Sequence, residues 1–208
     1  MLSTLVKISN VTNLSDARYC AGMGVDMLGF SVDEDSASYI TPKKFQELRG
    51  WIAGVKLVAE TAETDLPKLL STLASYEVDA LQVEDPALLA FLKSELDKPL
   101  LLRINVDMYE ADELDALMGR YALDVNFFLL ESEKNQPLSS EWMEYINTLG
   151  KDFPILLGFG LDDENEVLRA TDSGHIQGIA LRGSEEIRPG YKDFGTLMDI
   201  LEAIELDN

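Results

Sequence analysis

Residues 6–17 read Val6-Lys7-Ile8-Ser9-Asn10-Val11-Thr12-Asn13-Leu14-Ser15-Asp16-Ala17. The apolar beginning of this stretch is typical of a buried strand, and its polar centre is typical of a turn. Its last residues are typical of the first turn of a helix. The chain therefore opens with a strand–turn–helix unit, and Ser9 and Asn10 lie where the strand ends.

Seven more units of the same kind follow along the chain. Each begins with a short apolar run, and several runs are continuous rather than alternating, as expected for strands buried on both faces. The runs are Leu5–Ser9, Met27–Val32, Val55–Ala59, Ala80–Val83, Leu100–Val106, Asn126–Leu130, Ile155–Gly158 and Gly178–Leu181.

Amphipathic helical patterns separate these runs. Leu66–Tyr76 carries leucines at helical spacing, and Phe194–Ile204 repeats the pattern. Capping groups or proline are expected in the first turns at Ser15-Asp16, Thr41-Pro42, Thr64-Asp65, Asp85-Pro86 and Ser139-Ser140-Glu141.

Eight strand–helix units without a long polar linker predict a single (β/α)8 TIM-barrel domain over residues 1–208. A dinucleotide-binding open sheet needs a glycine fingerprint after its first strand, and Ile8–Thr12 contains no glycine. In a barrel, functional groups lie at the carboxyl ends of the strands. We therefore expect any site there.

The composition limits the partners. Seventeen Lys and Arg residues against 38 Asp and Glu residues give a formal net charge of −21, which disfavours binding to nucleic acid or to membrane surfaces. Cys20 is the single cysteine and is expected to be a small buried side chain. Neither a secretory signal nor a membrane span is recognisable, so we expect a cytoplasmic protein.

Several ordered motifs carry a family resemblance. They are Lys7-Ile8 with Thr12-Asn13 and Asp16-Ala17; Gly24, Asp26, Gly29 and Phe30; Tyr39-Ile40; Gln82; and Pro189-Gly190-Tyr191-Lys192-Asp193. In these motifs and their order, the whole chain resembles phosphoribosylanthranilate isomerase. That family consists of barrels in tryptophan biosynthesis that isomerise an N-linked ribosyl phosphate to an amino-ketose without a cofactor. The resemblance implies the same fold and lineage.

The departures from the family pattern fall on one face. The resemblance places the family's base, a Cys, at Ser9 and its acid, an Asp, at Glu131. The Arg for the anthranilate carboxylate falls at Ser38, and the family's Gly-Gly-Thr-Gly is absent from Ser132–Leu138. These losses make the isomerase reaction doubtful.

Ser9 cannot act as a base without a neighbouring base of its own. The single histidine, His175, is expected between the seventh helix and the eighth strand, at the opposite end of the barrel. Glu131 could donate a proton if burial favoured its neutral form, but its extra methylene displaces the carboxyl group. Lys7, inside the first strand, is expected to pair with an interior carboxylate.

The candidate binding residues centre on an anion site after strands 7 and 8. Glycines there would let backbone amides approach a phosphate, and Arg182 adds a cationic fork, although it could instead pair with Glu185 or Glu186. The candidate set is Lys7, Ser38, Gln82, Gly160, Arg182, Gly183 and Ser184. No metal site is predicted, because Asp33-Glu34-Asp35 and Asp162-Asp163-Glu164 lack the spacing of a calcium loop and fit solvated loops or helix caps.

Three functions stay open from the sequence. The chain is an isomerase acting through altered residues, a catalytically silent barrel that binds a small phosphorylated metabolite, or a protein-interaction scaffold. The expected assembly is a monomer or a homodimer.

Overall fold

The computed structural model describes residues 1–183, 186–188, 191–192 and 195–206. Eight parallel strands close into a barrel: each pairs with the next along the chain, and the eighth pairs with the first from Leu5↔Gly178 to Ser9↔Arg182. The predicted (β/α)8 barrel is confirmed. The strands are β1 (Leu5–Ser9), β2 (Met27–Ser31), β3 (Lys56–Thr61), β4 (Ala80–Val83), β5 (Leu100–Asn105), β6 (Phe127–Glu131), β7 (Ile155–Leu157) and β8 (Gly178–Arg182).

A helix follows each strand on the outside of the barrel. Most helices begin at a polar cap that accepts a backbone N–H, as Thr41, Asp65 and Asp163 do. In the first helix the capping residue is Asn13, ahead of the expected Ser15-Asp16. The helices are α1 (Leu14–Met23), α2 (Pro42–Arg49), α3 (Leu66–Leu73), α4 (Leu89–Glu95), α5 (Ala111–Tyr121), α6 (Ser140–Leu149), α7 (Glu164–Asp172) and α8 (Gly195–Ala203).

The barrel wall separates two apolar layers. The larger layer fills the space between strands and helices and includes Cys20, which is buried as expected. The smaller layer fills the lower barrel interior and consists of Met27, Val58, Ala80, Leu101, Leu129, Leu156 and Ala180. Because alternate residues of a strand face opposite sides, these two layers explain why the strands read as continuous apolar runs.

The upper interior is polar. Successive inward-facing residues of a strand are two positions apart, so the residues two positions beyond the lower layer share its direction. Those residues are Gly29, Glu60, Gln82, Arg103, Glu131, Gly158 and Arg182. The fold therefore delivers charged and amide side chains to the carboxyl end of the barrel.

Three elements were not expected from the sequence. After β4, the turn that Asp85 caps is a 3-10 helix at Pro86–Leu88 instead of the first turn of an α-helix, and a second 3-10 helix at Val106–Met108 follows β5. A backbone hairpin, β9 (Glu186–Arg188) and β10 (Tyr191–Lys192), follows β8. None of the helices in the described ranges has the length and hydropathy that crossing a membrane requires.

Candidate functional site

The carboxyl ends of the strands surround a cavity of about 510 Å³. Its lining includes Ser9, Gln82, Glu131 and Arg182, so four candidate residues lie around one space. Ser38 does not line it; its backbone N–H bonds to the Ser36 hydroxyl in the loop after β2. Ser184, Glu185, Pro189, Gly190 and Asp193 lie outside the described residues.

Lys7 and Glu60 form a buried ion pair at the floor of the cavity. The Lys7 side chain is fully buried, and its ammonium bonds to Oε1 of Glu60 and, at 2.6 Å, to the Ser9 hydroxyl. The expected interior carboxylate is therefore Glu60. Gly29 is required beside it, because a Cβ at that position would overlap the Glu60 carboxylate.

Ser9 does have an ionisable neighbour, which the sequence did not identify: the Lys7 ammonium is within hydrogen-bonding distance of its hydroxyl. Lys7 and Ser9 are two residues apart in β1, so both side chains point into the barrel. His175, by contrast, lies between α7 and β8 as expected, and its carbonyl packs near Gly150.

Asn10 connects β1 to the same carboxylate. Its φ of 57° lies in the left-handed region, which asparagine tolerates better than most residues. In this conformation its backbone N–H donates to Oε2 of Glu60 at 3.0 Å. Both carboxylate oxygens of Glu60 therefore have a partner within the protein.

Glu131 lies between two arginines on the opposite side of the cavity. Its Oε2 accepts from Nε of Arg103 at 2.6 Å and from a terminal nitrogen of Arg182 at 3.3 Å. Arg103 also reaches Glu84 at 2.8 Å and Glu133 at 3.5 Å. Burial would lower the pKa of Arg103, but the Glu131 charge and hydrogen bond, and then Glu84, outweigh burial and raise that pKa.

Gln82 lines the cavity, and its amide oxygen has no partner among the residues that the structure describes. It is only 5% exposed, it lies between β3 and β5, and it lines the cavity. Its Oε1 accepts no hydrogen bond from any described residue. A buried amide oxygen in this state costs free energy that a bound donor would recover.

The structure brings together only some of the residues expected to form the anion site. Gly160 and Arg182 share a cavity of about 210 Å³ with Asp162. Gly160 has a φ of 62°, and a Cβ there would overlap the backbone of Leu138. The Gly183 N–H donates to the Ser9 carbonyl at 2.8 Å, so this amide already has an acceptor within the protein.

Asp107 anchors the loop that follows β6. Its carboxylate accepts from the Ser132 hydroxyl at 2.9 Å, the Lys134 N–H at 2.8 Å and the Gln136 amide at 2.5 Å. Partial desolvation opposes ionisation, but these hydrogen bonds prevail and lower the pKa of Asp107. The segment that replaces the glycine-rich family motif is therefore tied to the loop after β5.

Sequence reasoning did not identify three residues that organise this end of the barrel: Glu60, Arg103 and Asp107. Glu60 and Arg103 have a usable signal, because each is a charged residue within or next to an apolar strand. Asp107 has none, since its partners are 25–29 residues away along the chain. Of the acidic clusters, Asp163 caps α7 and Asp33 accepts from Thr61 and Ala62.

Comparisons with known proteins point in one direction. No protein-family model matches the chain. N-(5'-phosphoribosyl)anthranilate isomerase of Thermosynechococcus vestitus is 29% identical over 208 residues, covering 97% of this chain and 90% of the relative. The enzyme of the same name from Maridesulfovibrio salexigens is 24% identical over 206 residues, covering 98% and 99%.

Solved structures agree with these relatives on the fold. Phosphoribosyl anthranilate isomerase from Thermotoga maritima superimposes with a TM-score of 0.79 at 21% identity, covering 97% of this chain and 98% of the other. The enzyme from Pyrococcus furiosus gives 0.75 at 16% identity with the same coverage. At these identities the superpositions support the barrel architecture.

Proposed function

The chain belongs to the phosphoribosylanthranilate isomerase family of tryptophan-biosynthesis barrels, and we propose that it has lost the isomerase reaction and binds a small molecule at the barrel mouth. The observation that supports this most directly is the state of the two reacting positions. Ser9 and Glu131 are both substituted relative to the family, and both are engaged by cationic side chains of the protein itself.

Ser9, at the family's base position, is the acceptor of the Lys7 ammonium. A hydroxyl is a poor base unless a neighbouring group acts as its base. The neighbour here, Lys7, is already paired with the buried Glu60 carboxylate. The base of a proton-transfer reaction is therefore missing at β1.

Glu131 stands at the family's acid position. Arg103 and Arg182 both contact the same carboxylate oxygen, Oε2, so this side chain is held by the protein's own guanidinium groups. Its extra methylene also places the carboxyl group differently from the family's Asp. Both positions that isomerisation uses are therefore altered and engaged within the protein.

The assay is turnover of N-(5'-phosphoribosyl)anthranilate, with the Thermosynechococcus vestitus enzyme as the positive control. We expect no turnover above the uncatalysed rate. The variant with Ser9→Cys, Ser38→Arg and Glu131→Asp together tests whether those three groups account for the loss. Activity of the unmodified chain would overturn the proposal.

A second candidate function, a hydrolase, is favoured by one contact. Ser9, Lys7 and Glu60 are arranged as a nucleophile, a base and a group that orients the base, as in serine–lysine hydrolases. That chemistry requires a Lys7 amine free to act on Ser9, whereas Lys7 is also engaged by Glu60. A fluorophosphonate probe should not label the protein; labelling that disappears in Ser9→Ala would replace the binding role with a hydrolase.

A phosphorylated metabolite is a less favoured ligand for the binding role. Arg182 is directed at Glu131, and the Gly183 amide donates to Ser9. Titration with ribose 5-phosphate followed by thermal unfolding tests this ligand class, because a ligand that binds only the folded state raises its stability.

A further inference from the structure

The cavity at the barrel mouth carries more negative than positive charge. Two guanidinium groups line it, those of Arg103 and Arg182, and the Lys7 ammonium lies beneath it. The same space is lined by six carboxylates, which are those of Asp33, Asp35, Glu60, Glu84, Glu131 and Glu133. Six negative charges against three positive charges leave an excess of three negative charges.

The carboxylates without an ion-pair partner lie on one side of the cavity. Glu60, Glu84, Glu131 and Glu133 all pair with Lys7 or with an arginine. Asp33 and Asp35, after β2, form no ion pair within 4.0 Å with any residue that the structure describes, and Lys68, whose charge acts on both, is itself paired with Glu63. Asp33 is held in place by the Thr61 hydroxyl at 2.5 Å and the Ala62 N–H at 2.7 Å.

Gln82 supplies an independent sign of a ligand. The residue lines the cavity, and its buried amide oxygen lacks a donor among the described residues. Glu60 of β3 stands directly beside it in the sheet. A group that satisfies Gln82 must be an N–H or O–H donor, and the surrounding carboxylates favour a donor with positive charge.

A metal ion does not fit this description. Across the described ranges, no group of three or more His, Cys, Asp or Glu side chains could hold one. The cavity volume of about 510 Å³ instead matches the usual size of a small-molecule site.

We propose that the cavity binds a small organic cation, an amine or guanidine that donates a hydrogen bond to Gln82 Oε1 while its charge faces Asp33 and Asp35. This inference rests on the proposed binding role and names the ligand class for it. It separates this chain from a barrel that takes an anionic sugar phosphate.

The test is calorimetric titration of the full chain with agmatine and with 1,4-diaminobutane at about 0.15 M salt, which screens diffuse surface charge. Ribose 5-phosphate and magnesium chloride serve as the comparison ligands. We expect saturable binding of at least one amine and none of the two comparison ligands.

Gln82→Leu distinguishes specific binding in the cavity from non-specific attraction of a cation to an acidic protein, because it leaves the net charge of the protein unchanged. It should weaken amine binding at least about tenfold, which corresponds to about 1.4 kcal/mol. Asp35→Asn should weaken it about threefold, whereas Asp115→Asn, an exposed acid on α5, should leave it unchanged.

The outcomes distinguish the two proposals. Amine binding that is indifferent to Gln82→Leu, or equally sensitive to Asp35→Asn and Asp115→Asn, is adventitious and overturns the inference. Binding of ribose 5-phosphate without any amine overturns the ligand class but leaves the binding role intact. Isomerase turnover contradicts the binding role itself, whatever the amines do.

Discussion

Two charged networks face each other across the barrel mouth, and they differ in depth. Lys7 and Glu60, on β1 and β3, lie in the barrel interior with side-chain exposures of 0% and 7%. On the far side, Glu131 is 6% exposed, but its partners Arg103 and Arg182 are 13% and 54% exposed. The first network is enclosed by protein, and the second extends into solvent.

The difference in depth implies a difference in role. A buried ion pair is costly to break, because removing one partner leaves the other charge without compensation. A pair that reaches solvent is screened, and water can replace a lost partner. We therefore interpret the Lys7–Glu60 pair as a structural plug and the arginine network as a rim that can rearrange around a ligand.

The sharpest way to break this comparison is Lys7→Met. It leaves the Glu60 carboxylate buried with only the Asn10 N–H, and we expect a loss of about 3–5 kcal/mol in the free energy of unfolding, measured with urea. The double variant Lys7→Met with Glu60→Leu should recover most of it. Arg49→Met, which removes an exposed pair with Glu77, is the control and should change stability by less than about 1 kcal/mol.

Arg103→Met tests the rim. Glu131 would retain Arg182, so the expected loss is smaller, about 1–3 kcal/mol by the same urea titration. Arg182→Met, from a more exposed position, should cost less than Arg103→Met. Equal losses in Lys7→Met and Arg103→Met would remove the distinction between plug and rim.

Gln82 lies between the two networks, and Gln82→Leu should change stability in the opposite direction from the variants above. Replacing an unpaired buried amide with an apolar side chain of similar size removes a desolvation cost, so the unliganded protein should gain about 1 kcal/mol. The measurement is the melting temperature without ligand. A destabilised Gln82→Leu protein would mean that the amide already has a partner.

Substitution of Asp107 should have the smallest effect on stability, and it tests how the loop that follows β6 is anchored. The pKa of Asp107 is lower in the folded protein than in the unfolded chain. Its contribution to stability is therefore complete at pH values above the unfolded-state pKa, and it is lost as the pH falls through the folded-state pKa. The wild type should therefore lose stability below about pH 4 more steeply than Asp107→Asn, measured by urea unfolding at several pH values. Parallel curves would contradict this role for Asp107.

Much of the architecture could be predicted from local sequence. β1 and β4 begin and end where their apolar runs do, and Thr41, Asp65 and Ser139 cap the helices that follow them. These features depend on contacts within a few residues, which composition and spacing report directly. Helix ends were less accurate: α3 stops at Leu73, three residues before the predicted end.

The candidate site was predicted as a location but not as an arrangement. Ser9, Gln82, Glu131 and Arg182 do line one cavity. The partners of Lys7 and Glu131, however, are 53 and 28 residues away along the chain. No periodicity in the sequence encodes such a pairing.

The amino-acid sequence by itself determined the strand–helix repeat, the apolar layers on both sides of the barrel wall and the polar residues at the strand ends, because these follow from short-range spacing. Tertiary structure alone decided which charges meet. Barrel formation places β5 beside β6, which gives Arg103 to Glu131, and lets Glu60 of β3 reach Lys7 of β1 across Gly29 of β2. The same geometry leaves Gln82 Oε1 without a donor among the described residues.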